Sequence, residues 1–125
     1  METRSIRHFR DLRVWRESHT LVLLVYELTR KFPSEEQFGL SNQSRRAAVS
    51  VTSNIAEGFG RNTARDKKHF YMTAKASLAE IQNQMIIAKD LGYITEREFE
   101  EIYACSVISD KLLTNFIRSA SDRIL

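Results

Sequence analysis

One proline, Pro33, and four glycines are the only strong breakers in a chain of 125 residues. A sheet of short strands needs turn residues at every connection, so this sequence favours a few long helices instead. Such a length suits one domain, residues 1–125, with a core of its own. Hydrophobic residues make up 42% and charged residues 28%, the balance of a soluble globular protein.

Four helical segments are predicted, over about 11–31, 40–59, 64–91 and 96–120. In the first, Leu12, Trp15, Val22, Tyr26 and Thr29 recur at a helical period, and Pro33 stops the run. Gly58 and Gly60 mark the end of the second. Thr63 and Asp66 resemble a capping box at the start of the third, whose face is Phe70, Ala74, Leu78, Ile81, Met85 and Ala88. Gly92 is a left-handed stop. Thr95 and Glu98 form a capping box for the fourth, with Phe99, Ile102, Ile108, Leu112, Phe116 and possible support from Leu113 on its apolar side. Short connections imply an all-α, antiparallel up-down-up-down four-helix bundle.

The second helix is unusual. At about 100° per residue, Gln43, Arg46, Ser50, Ser53, Asn54, Glu57 and Arg61 form one polar stripe. Most of the remaining circumference is small or apolar, with Arg45 as an exception. A bundle helix needs an apolar face of roughly 100° or a little more, and this one is wider. The surplus predicts a cover, most simply a second copy of the chain. Arg46, Ser50, Ser53, Asn54 and Glu57 are therefore assigned to an oligomer interface or a structural polar stripe. Ser50, Ser53 and Asn54 read as hydrogen-bonding partners rather than ligands. Glu57 opposes the helix dipole and calls for a cationic partner.

Three stretches carry a family resemblance: FRDLRVW at Phe9–Trp15, FPSEEQFGLSNQSRRAAVSVTSNIAEG at Phe32–Gly58, and KASLAEIQNQMIIAKDLGYI at Lys75–Ile94. Together they resemble the bacterial four-helix-bundle proteins encoded in intervening sequences of large-subunit ribosomal RNA genes. SNIAEG at Ser53–Gly58, preceded by RRAAVS at Arg45–Ser50, is the most specific part. Thr52 stands where such proteins often carry proline, which leaves the second helix less sharply kinked. The resemblance implies a ring-like homopentamer. It also implies similarity to the basic, nucleic-acid-binding accessory variability proteins of retroelements. It implies no known enzyme activity.

Net charge is +3, unevenly spread. Residues 1–68 hold 13 Lys/Arg against 8 Asp/Glu, and residues 69–125 hold 6 against 8. This asymmetry permits nucleic-acid binding or head-to-tail self-association. Arginines at positions 4, 7, 10, 13 and 16 interleave with His8, Phe9 and Trp15, and a second basic cluster spans Arg61–His69. Arg10, Arg13, Arg16, Arg61, Arg65, Lys67 and Lys68 are the candidate phosphate contacts. In an isolated monomer they read as solvated helix ends; fivefold repetition would turn a modest patch into a ring of charge. The alternative is a protein-interaction scaffold with no nucleic-acid role.

Other chemistry finds little support. His8, His19 and His69 lack metal-ligand spacing, and His19 reads as a core or interface residue. Cys105, the lone cysteine, reads as a buried thiol without a histidine partner. No phosphate-binding glycine loop is present. The expectation is a non-enzyme with no cofactor, metal or small-molecule substrate. A lone thiol, no secretory signal and no membrane-length apolar run point to the cytoplasm.

Overall fold

A computed structural model describes residues 5–122. Four helices account for most of it: α1 (Arg13–Thr29), α2 (Leu40–Phe59), α3 (Ala64–Asp90) and α4 (Glu96–Asp122). Short 3-10 turns at Phe9–Asp11 and Ser34–Glu36 precede α1 and α2. α1 packs on α2, α2 on α3, α3 on α4, and α4 closes back on α1. This is the antiparallel four-helix bundle expected from the sequence.

The helix ends follow local chemistry. Thr63 Oγ1 accepts from the Asp66 N–H at 3.1 Å to start α3. Thr95 and Glu98 complete a reciprocal capping box, each side chain accepting the other's backbone N–H, at 3.1 and 2.9 Å. Gly92 closes α3 at φ 79°, and the Tyr93 N–H reaches back to the Ala88 carbonyl at 2.8 Å. That is the Schellman pattern, in which glycine avoids a Cβ clash. α1 starts at Arg13 rather than Asp11 because Leu12 is extended, with φ −77° and ψ 126°.

Every helix turns an unbroken three-four spacing toward the axis. The buried positions are 14, 18, 21, 25 and 28 on α1, and 41, 44, 48, 51, 55 and 58 on α2. On α3 they are 71, 74, 78, 81, 85 and 88, and on α4 102, 106, 109 and 113. This is the seam of a bundle with shallow crossing angles. Serine takes part of the seam on three helices: Ser18, Ser41, Ser44, Ser106 and Ser109 are all buried.

Those serines explain where the apolar pattern pointed wrongly. On α1, Trp15, Val22 and Tyr26 are only partly buried, while Val14, Leu21, Val25 and Leu28 form the core. On α3, Tyr71 replaces Phe70 in the seam. On α4, Ile108 is 42% exposed and Leu113 is fully buried. His19 is exposed and stacks on Trp15, with ring centroids 4.7 Å apart.

Helix α2 leans closely on α3. A Cβ at Gly58 would lie 2.7 Å from Cε1 of the buried Tyr71 ring. Ser77 donates to Ser50 Oγ at 2.9 Å, and Asn54 Nδ2 donates to the same oxygen at 3.0 Å. Arg45, the odd cation on the apolar side, lies 5.1 Å over the Tyr26 ring and donates to Thr29 Oγ1 at 2.9 Å. Its charge is thus used to fasten α2 to α1. Across α3 and α4, Lys75 Nζ donates to Asp110 and Thr114 at 2.7 and 2.9 Å.

Gly58→Ala should destabilise the fold. Overpacking costs about 1–3 kcal/mol, offset by at most about 1 kcal/mol of helix propensity. Gly60→Ala is the control: its φ is −80° and its nearest neighbour lies at 3.7 Å, so it should be neutral or gain up to about 1 kcal/mol. Urea unfolding midpoints separate the two. The hydroxyls of Ser44 and Ser109 are buried and make no hydrogen bond among the described residues. Ser44→Ala and Ser109→Ala should each raise stability by about 1 kcal/mol, read as an increase in thermal midpoint.

Candidate nucleic-acid interface

Antiparallel packing gathers one set of chain segments at each end of the bundle. At one end lie the segment before α1, the α2–α3 connection and the last turns of α4. Residues 5–20, 57–70 and 115–122 carry nine Lys/Arg against five Asp/Glu there. The opposite end, residues 27–39 and 86–101, carries four against eight. Charge is therefore separated along the bundle axis, and both basic clusters share one pole.

Within that pole the cations have different duties. Asp11 Oδ2 accepts the Arg7 and His8 backbone N–H groups, both at 3.0 Å. His8 Nδ1 accepts from Arg10 N and Nε at 3.2 and 3.3 Å. Arg16 Nη1 donates to the carbonyls of Asp11 and Arg10, at 2.8 and 3.3 Å. Arg16 thus fastens the turn before α1. Arg10 and Arg13 are exposed, with Arg13 Nε 3.9 Å from Glu17.

The second cluster divides similarly. Lys67 Nζ donates to the carbonyls of Phe59 and Gly58 at 2.7 and 3.3 Å, and lies 5.5 Å from the Phe59 ring centroid. It satisfies the end of α2, where carbonyls lack intrahelical donors. Arg61 covers the Phe70 ring at 4.5 Å and lies 3.6 Å from Glu57. Glu57 therefore finds its cation one turn along the same segment, not on a neighbouring helix. Arg65 is exposed and Lys68 is half-buried. Arg4 lies outside the described residues.

A groove of about 490 Å³ opens beside these cations, lined by Leu12, Phe59, Lys67, Tyr71 and Phe116 among others. Sequence reading missed it because its walls come from all four helices. The polar stripe of α2 has two fates. Ser50 and Asn54 belong to the hydrogen-bonded α2–α3 contact. Arg46 and Ser53 are exposed. Cys105 is half-buried, and burial pushes its thiol pKa up. Among the described residues, no group of three or more His, Cys, Asp or Glu side chains could hold a metal ion, and no helix is long and apolar enough to cross a membrane.

The sequence model of the 23S rRNA-intervening sequence protein family matches residues 10–115. The chain belongs to that family. The matched span runs from the basic turn before α1 to the last third of α4. Among solved structures, this intervening-sequence protein resembles a protein of unknown function from the S23 ribosomal protein family of Bacteroides thetaiotaomicron VPI-5482. The two share 24% identity with a TM-score of 0.77, over 83% of this chain and 97% of the other. That likeness establishes the shared fold. No curated protein matches.

The different duties of the cations are testable. Lys67→Met keeps the stem but removes the donor to the α2 carbonyls. It should lower stability by about 1–2 kcal/mol, whereas Arg65→Met should stay within about 0.5 kcal/mol of the parent. Denaturant midpoints read both.

Proposed function

We propose that this intervening-sequence protein is a non-enzymatic, cytoplasmic, homo-oligomeric accessory protein that holds RNA through its basic pole. The observation that carries the reading is the convergence of the Arg7–Arg16 and Arg61–Lys68 clusters on one end of the bundle. Phosphate contacts of this kind give affinity without base specificity. A ring of five chains, as the family resemblance implies, would set five such poles side by side.

Unpaired apolar surface supports the self-association. Val49 on the flank of α2 is 42% exposed, and Met72 and Ile86 on α3 are 51% and 38% exposed. Several such side chains on one small bundle favour a partner surface.

Binding to a single-stranded RNA should weaken linearly in log–log form as salt rises, with a slope of about −0.7 per neutralised phosphate. Arg13→Glu and Arg65→Glu, one from each cluster, should each reduce the slope by about one and weaken binding alike for unrelated sequences. Fluorescence anisotropy in a salt titration measures this. Absence of binding at low salt, with self-association intact, would select the protein-scaffold reading instead.

A further inference from the structure

Helix α3 carries a second apolar seam that its own bundle does not use. Met72, Ala76, Ala79, Asn83 and Ile86 recur at three-four spacing, and all five are exposed. Two such stripes on one helix mean that one face needs cover.

The stripe is self-complementary about Ala79. Met72 and Ile86 lie seven residues to either side of it, and Lys68 and Asp90 lie eleven to either side. Seven and eleven residues are close to whole numbers of turns, so all four share the face of Ala79. Turned end for end, the stripe meets itself in register. Met72 faces Ile86 of the second copy, Lys68 faces Asp90, and Ala79 faces Ala79. The alanines at 76 and 79 let two helix backbones approach at the short end of the packing range. Apolar surface meets apolar surface, and opposite charges meet at both ends.

We infer that two copies of this chain pair antiparallel along α3, about a twofold axis at Ala79. The inference rests on the self-association part of the proposed function and not on the RNA part. The contact is isologous and closed, and it leaves the flank of α2 around Val49 for any further assembly. It also places the two basic poles at opposite ends of the pair.

A residue on a twofold axis meets its own counterpart, which a heterologous ring contact does not provide. The test uses the full chain without nucleic acid, in a Cys105→Ser background. Ala79→Cys should form a disulfide-linked dimer under mild oxidation roughly a hundredfold faster than Ser53→Cys on α2. Thiols held together see millimolar effective concentrations rather than the micromolar bulk value. All four positions to be changed are exposed or half-buried, which favours retention of the fold. In the unmodified background, Ala79→Arg should halve the mass of the pair in light scattering. Lys68→Glu and Asp90→Lys should each weaken pairing, and the double exchange should restore it. Equal cross-linking at 79 and 53, a mass unmoved by Ala79→Arg, or no rescue by the double exchange would overturn the inference. Loss of RNA binding with pairing intact would overturn only the RNA reading.

Discussion

The bundle depends on how closely its helices approach, and small residues in the seam set that distance. Gly58 lies against Tyr71 with no room for a methyl group. Ala48, Ala74 and Ala88 are fully buried beside Ser18, Ser44 and Ser109. Large side chains such as Leu21, Ile55, Leu78 and Leu113 fill the space that remains. A core of this kind gains less from each side chain than a leucine-rich one, because less apolar area leaves water. It compensates with more backbone-to-backbone contact and with specific cross-links, such as Ser77 to Ser50 and Lys75 to Asp110.

The number and order of the helices were legible in the sequence. Sparse breakers, two capping signals and Gly92 were enough, because each acts locally. The inward face was less legible. Serine is polar on any hydropathy scale, yet in a tight seam its size matters more than its hydroxyl. Counting only apolar residues therefore rotated the expected face of α1 toward Trp15 and Tyr26, and that of α4 toward Ile108. Treating serine as a small residue restores the spacing 14, 18, 21, 25, 28 on α1 and 102, 106, 109, 113 on α4. The exception at Arg45 needed a third dimension. Its partners, Tyr26 and Thr29, lie on another helix.

The basic clusters were legible as composition but not as roles. Lys67 and Arg65 look alike in a string, yet one closes α2 and the other is exposed. Nor was the charge divided as the two halves of the chain suggested. Each half runs the length of the bundle and back, so each contributes to both poles. Only folding places Arg10 and Arg65 at one end and Glu35 and Glu100 at the other.

That separation acts before any contact is made. A body positive at one end and negative at the other has an electric dipole along its long axis. In the field of a polyanion such a body experiences a torque as well as a net pull. At physiological salt the torque is felt within roughly 8 Å of the surface, the screening length. Encounters with a highly charged rod are thus biased toward end-on arrival, and the orientation of first touch is decided by the up-down order of four helices.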